Sequence, residues 1–327
     1  MKKYQKALAA IGTLVTAGLA GMHYANRIIA KKACEKELLF NQEGNYYSFR
    51  FGNIFYTKQG SGQPLLLIHE LNPACSHIEF KAIIEELSTQ YTVYTMDLLG
   101  CGRSDKPAIT YTAYLYVQMV NDFIKNVIGE PTHIIVSGMA SSPVLLACSI
   151  EPDLYDKIIC INPPSLQAGN KIPTPALRML KTLIEVPVLG TFIYNLHVNQ
   201  KAIERKLEKE IFYHPPTGQM SSYLLRQKKK CAAFLYESSH LNGYGSKYLY
   251  SSLRARYLNV NTFQALTNID HSIYVIMGKE EPDARERTRE YRECNCSIET
   301  ALIPRTKHVP HLENPSRFLN LCQIFFN

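Results

Sequence analysis

Nothing in this chain reads as a zinc knuckle, a redox dithiol, a repeat array or a low-complexity tract. The nine cysteines are scattered and form no C-x-x-C pair. Cys294 and Cys296 are separated by a single residue, and no second pair stands near them, whereas structural zinc needs two wider-set pairs. The odd cysteine count argues for free thiols in a reducing compartment. Cys148 and Cys160 lie in apolar runs and read as small buried hydrophobes. No motif for a nucleic acid, a metal or a cofactor occurs, so none of the three is expected as a partner. What the chain does have is apolar content, 46% of 327 residues, enough for one large α/β domain with an insertion or for two small domains.

The net charge is +8, concentrated at the N-terminus (Lys2, Lys3, Lys6, Arg27, Lys31, Lys32) and again at Arg226 and Lys228–Lys230. Membrane-flanking charge and a solvated helix account for it. Residues 1–32 read as a targeting or anchoring segment. The uncharged run from Ala7 to Met22, extended by His23, Tyr24 and Ala25, approaches the roughly 20 residues a spanning helix needs. A signal peptide cut after Ala20 is the competing reading, and would export the protein. An uncleaved anchor suits the basic amphipathic stretch that follows, and makes the protein membrane-associated. Both flanks are basic, so charge leaves the orientation open.

From residue 45 onward the pattern alternates. Residues 45–58 are strand-like and rich in aromatics. Pro64–His69 is a continuous apolar run of the kind a buried parallel strand shows. Further strands are predicted at Tyr91–Met96, His133–Val136, Ile158–Ile161, Ser272–Met277 and Cys296–Ile303. Helices are predicted at Glu79–Ser88, Tyr114–Ile128, Val144–Ser149 and Ser316–Phe326. Short connections between them argue a doubly wound, mostly parallel α/β sheet. Residues 165–245 break the alternation with polar, helical sequence interrupted by Pro173, Pro175, Pro187, Pro215 and Pro216. They are expected as a helical cap inserted between core segments 45–164 and 246–327, over the sheet edge where ligands bind.

Several segments carry chemistry. Asp97-Leu98-Leu99-Gly100-Cys101-Gly102-Arg103-Ser104-Asp105-Lys106-Pro107 has the form D-x-x-G-x-G-x-S-x-x-P, with glycines for a tight turn after a strand. Val136-Ser137-Gly138-Met139-Ala140-Ser141-Ser142 follows a strand and opens a helix, with Gly138 and Ser142 as small residues flanking Ala140. His69-Glu70-Leu71, Gly278-Lys279-Glu280-Glu281 and Lys307-His308-Val309-Pro310-His311-Leu312-Glu313-Asn314-Pro315 complete the set. In these segments the chain resembles the α/β-hydrolase superfamily over about residues 45–327, the insertion apart. The resemblance implies an α/β-hydrolase fold. It places Ala140 where the nucleophile stands, Glu281 at the acid position with Asp283 as fallback, and His308 as general base. It gives the oxyanion-hole N–H groups to Leu71 and Ser141. Asp97, Arg103 and His311 are expected to be structural.

A methyl group cannot attack a carbonyl, and loss of the nucleophile alone typically costs about a million-fold in rate. Glu70, where the family has glycine, would oppose an oxyanion if it points inward. The expectation is therefore a serine-hydrolase-lineage protein that binds a small apolar or ester-like ligand without ordinary catalysis. The alternative is an active hydrolase of a small ester, using His308 with water or Ser141 in a rearranged elbow.

Overall fold

The computed structural model describes residues 2–41, 43–215 and 220–327; Pro216, expected to break a cap helix, lies outside them. The chain opens on helix α1 (Lys2–Ala33), then runs β1 (Asn45–Phe49), β2 (Gly52–Gln59), β3 (Gln63–Ile68), α2 (Ile84–Leu87), β4 (Tyr91–Met96), α3 (Ala113–Phe123), β5 (Thr132–Ser137), α4 (Ser141–Ile150) and β6 (Tyr155–Ile161). Five helices follow: α5 (Pro175–Glu185), α6 (Leu189–His197), α7 (Gln200–Lys206), α8 (Ser222–His240) and α9 (Ser246–Arg254). The remainder is α10 (Phe263–Thr267), β7 (Ile273–Gly278), α11 (Ala284–Cys294), β8 (Glu299–Ile303), α12 (Pro310–Glu313) and α13 (Pro315–Phe326).

The strands form one sheet in the order β1-β2-β4-β3-β5-β6-β7-β8. β1, β2 and β4 pair antiparallel, and β4 through β8 pair parallel. The chain leaves β3 to one side for β4 and returns on the other for β5. That reversal opens a crevice at the C-terminal ends of the two strands, where open α/β sheets bind ligands. Period-two alternation divides the core. Leu66, Ile68 and Val136 face α3 and α4, packing with Tyr116, Phe123 and Val144. Leu65, Leu67 and Ile135 face the other way, against Phe80, Phe318 and Phe325.

The expected helix over Glu79–Ser88 is instead a 3-10 turn at His77–Phe80 followed by the single turn of α2. The N–H and ring of His77 are tied to Asp97, and Glu79 takes the Glu70 N–H, which holds the segment tight. The charge-dense stretch after Gly278, readable as a solvated helix, forms α11 and buries Ala284, Thr288 and Tyr291. Helical sequence between β6 and β7 also runs past residue 245: α9 packs on α5, so a segment assigned above to the second core part packs with the cap. Helix α10 packs on α4 and α11, in the sheet's own layer. The stretch Tyr4–Ala33 is long and apolar enough to cross a membrane, by length and composition alone.

Candidate active site

The elbow is built by β5 and α4. The strand ends at Ser137, a 3-10 turn covers Gly138–Ala140, and α4 begins at Ser141. The turn's strained position is Gly138, at φ +53, in the region that favours glycine. Ala140, by contrast, has ordinary helical dihedrals, is 1% exposed and belongs to the apolar core between the sheet and α3 and α4. Ala140, expected at the reactive point, lies in the buried core two residues beyond the strained position of the turn. The residue at the head of the turn is Gly138, and a Cβ added there would run into the Glu70 carboxylate.

Glu70 leaves the end of β3 and points inward. Its Oε1 accepts the Met139 N–H at 3.0 Å, and its Oε2 lies 3.4 Å from His308 Nε2. On the other side of the ring, His308 Nδ1 lies 3.2 Å from Glu281 Oε1. Arg287 Nη2 also reaches Glu281 Oε1, at 3.2 Å. Four loops at the C-terminal edge of the sheet therefore converge as Glu70–His308–Glu281 against the Gly138–Met139 turn. The backbone N–H of His308 donates to the Ile211 carbonyl, which ties the helical segment between β6 and β7 to the loop after β8.

The electrostatics follow from this clamp. Burial disfavours a charged imidazole at His308, but hydrogen bonds to Glu281 and Glu70 outweigh it and push its pKa up to about 10. At neutral pH the ring is an imidazolium with both nitrogens donating. Burial works to raise Glu281, yet the bonds from His308 and Arg287 hold it below the usual carboxylate range. Beneath the pair, Glu79 accepts the Glu70 N–H at 2.9 Å and is raised by burial to about 7. His311 is fully buried beside Glu79, its Nε2 3.5 Å from Oε1, and burial lowers its pKa to about 3.

The remaining sequence candidates fall out as follows. Asp283 is exposed, in a left-handed conformation at the start of α11, and makes no bond to His308. Leu71 is buried in the core beside the Glu70 loop. The Ser141 N–H, expected to face an oxyanion, instead donates to the Gly138 carbonyl within the 3-10 turn. Its hydroxyl is fully buried against the Cys160 thiol on β6, away from His308. Gly138, Met139 and Glu79 were missed. The signal that could have found Gly138 is its place as the first residue after a strand, where a sharp turn demands positive φ. Two surface cavities, about 480 and 240 Å³, lie elsewhere, one around Phe40, Arg103 and Asn242 and one around Ser165 and α11. Among the described residues no His, Cys, Asp or Glu group is arranged to hold a metal ion.

Comparison with known proteins agrees with this architecture. A family model described as alpha/beta hydrolase fold matches residues 64–183. A 2-hydroxy-6-oxo-6-(2'-aminophenyl)hexa-2,4-dienoic acid hydrolase of Metapseudomonas resinovorans is 38% identical over 71 residues, 21% of this chain and 24% of that protein. A soluble epoxide hydrolase of Corynebacterium sp. (strain C12) is 26% identical over 129 residues, 39% of this chain and 44% of that protein. The chain thus spans less than half the length of these curated relatives. Among solved structures, a serine hydrolase involved in carbazole degradation superposes with TM-score 0.69 at 16% identity, covering 87% of this chain and 98% of the other. A membrane phospholipase A superposes with TM-score 0.63 at 19% identity, covering 100% of this chain and 98% of the other. The chain has the α/β-hydrolase fold with a mostly parallel sheet, and its sequence relatives include hydrolases.

Proposed function

We propose that Gly138 occupies the nucleophile position of a serine-hydrolase site, and that Glu70 has taken over its space and its hydrogen bonds. The observation that carries this is the position of the Glu70 carboxylate. One oxygen lies where a side chain on Gly138 would project and faces His308 Nε2. The other takes the N–H of Met139, the residue after the nucleophile position, whose N–H in this fold belongs to an oxyanion. A carboxylate there repels a developing oxyanion, and an imidazolium cannot act as a general base. Ordinary acyl-enzyme chemistry is therefore absent. Glu281 fills the acid position toward His308, as the charged remnant of a triad.

What we propose the site retains is an apolar surround. The cap contributes Ile203, Leu207, Phe212 and Ala232, which pack with Val309 and Leu312 next to His308. A small apolar or ester-like ligand is the class this apolar lining would favour if the packed cap opens over His308. Helix α1 is read as an uncleaved membrane anchor. In keeping with this, one solved structure alike over the whole chain, α1 included, is described as a membrane phospholipase A. The alternative active-hydrolase reading has no support from Ser141, which is buried in the first turn of α4.

A fluorophosphonate probe tests the proposal, because it labels only an activated hydroxyl. The wild-type chain is expected to remain unlabelled under conditions that saturate a serine hydrolase. Stoichiometric labelling at Ser141 would overturn the proposal and restore the active-enzyme reading.

A further inference from the structure

The cap carries an apolar face that none of the described residues covers. Ile172, Ala176, Met179, Leu183 and Val186 recur at alternating steps of four and three, one stripe along α5 and its flanks. All five are exposed, with Ile172 at 75% and Met179 at 73%. The opposite side of α5 is the packed one: Lys181 and Ile184 are buried, and the helix lies against α6 and α9. Apolar surface repeated at helical spacing on the outside of a domain marks an interaction site.

What covers this stripe is indicated by its neighbour. Every residue of α1 from Tyr4 to Gly21 is exposed, and packing begins only at Met22. Those exposed residues span about 27 Å at 1.5 Å per residue, close to the roughly 30 Å of a bilayer's hydrocarbon. Where α1 meets the protein it is fixed to α6. Asn26 is buried, donates to the Val188 carbonyl at 3.1 Å, and accepts from Asn195 at 2.9 Å. Val188 itself stands at φ +62, an unusual conformation for a β-branched residue, held at the α5–α6 junction by this contact. The point where α1 leaves the protein is thus one helix away from the α5 stripe. Exposed Tyr24 and Arg27 stand at that point, residue types that suit a headgroup boundary. Residues 171–199 carry Lys171, Arg178 and Lys181 against Glu185 alone, and Glu185 is already paired with Lys181. The surroundings of the stripe are therefore basic.

We infer that the outward face of α5 docks into the surface of an anionic bilayer, the same bilayer that α1 crosses, and holds the cap against the membrane. This rests on the anchor reading of α1. Such a helix lies in the plane of the interface with its apolar side in the acyl boundary, and lysine and arginine around it add attraction to anionic lipid. The site beneath the cap then faces molecules dissolved in the bilayer rather than in water.

The chain contains no tryptophan, so single substitutions make unambiguous reporters. Full-length M179W, L14W and F263W variants are reconstituted in phosphatidylcholine vesicles containing phosphatidylglycerol and brominated phosphatidylcholine. Position 179 reports the stripe, position 14 the span, and position 263 an exposed site on α10 outside the cap. Expected is loss of most emission at 179 with bromines placed high on the acyl chain, loss at 14 with bromines placed deep, and none at 263. Quenching at 14 but not at 179 overturns the docking and leaves the anchor. Quenching at neither overturns both. Quenching at 179 but not at 14 supports the docking surface and removes the anchor.

Discussion

Three loops at the same edge of the sheet have gone two different ways. The loop after β4 has the family's sequence form and satisfies its buried polar groups. Asp97 Oδ1 accepts both the N–H and the ring Nδ1 of His77, at 2.6 and 2.8 Å, and Oδ2 accepts the Arg103 N–H at 2.7 Å. His69 Nε2 accepts the Leu98 N–H at 3.0 Å, tying this loop to the end of β3. Gly102 sits at φ +46, directly against the Asp97 carboxylate. The loops after β3 and β5, a few residues away, present Glu70 and Gly138 where, on the proposed reading, a small residue and a nucleophile would stand. The first loop holds the fold and asks nothing of a substrate. On the proposed reading, the Glu70 and Gly138 side-chain positions serve a reaction rather than the fold, and can change while the fold stands.

The sharpest way to break this contrast is to attack the first loop. Asp97→Ala would strand a buried His77 and the Arg103 N–H, and is expected to destabilise the protein by about 3–5 kcal/mol. Chemical denaturation in detergent measures it. A cost below about 1 kcal/mol would show that the loop is no more structural than its neighbours. Next in size is the attempt to make the second pair resemble the first. Glu70→Gly with Gly138→Ser clears the carboxylate, frees the Met139 N–H and puts a hydroxyl beside His308. Hydrolysis of a short activated ester is expected to rise at least about a hundred-fold over wild type, with phosphonate labelling at residue 138. Adding His308→Ala should abolish both signals.

The central strands β3 to β7 were legible because each is a short, mostly buried and largely apolar run, and the order of elements followed from alternation. The 3-10 turn at His77 and the register of the elbow were not. Composition does not distinguish a glycine that flanks a sharp turn from the glycine at its head; the difference lies in φ and in the direction a Cβ would take. On the proposed assignment the reactive point is Gly138, two positions before Ala140, which is buried in the core. Glu70 was recognised as a misplaced carboxylate, but its grip on both Met139 and His308 depends on three loops meeting. The partner of α9 was not legible for the same kind of reason: its packing on α5 shows only in the folded chain.

The ionic clamp gives a third, smaller test. His308 holds a proton in the folded protein up to about pH 10 that the unfolded chain releases near 6.5. Its contribution to stability is therefore fully present below pH 6.5 and is lost as pH rises through about 10. The difference in unfolding midpoint between wild type and His308→Asn should shrink steadily across that window. Glu70→Gln removes one of the two carboxylates and should lower the pH at which the imidazole resonances of His308 titrate. An unchanged titration would mean that Glu281 alone holds the proton.

The smallest expected effect sharpens the register itself. Ala140→Ser and Gly138→Ser each place a hydroxyl in the same turn, two residues apart. At 140 the new oxygen enters the buried apolar core between the sheet and α3 and α4. An added hydroxyl in such surroundings costs about 1–2 kcal/mol and offers nothing for His308 to activate. Ala140→Ser is therefore expected to fold with slightly reduced stability, to remain unlabelled by the phosphonate, and to stay unlabelled when Glu70→Gly is added. At 138 a serine must adopt positive φ, at about 1–3 kcal/mol of backbone strain, which is the strain this elbow imposes on its nucleophile. Paired with Glu70→Gly it should be labelled. Because the two double variants share the Glu70 change and differ only in which residue of the turn carries the hydroxyl, labelling at 140 and not at 138 would reverse the assignment. The Glu70 carboxylate would then be a neighbour of the old site rather than its occupant.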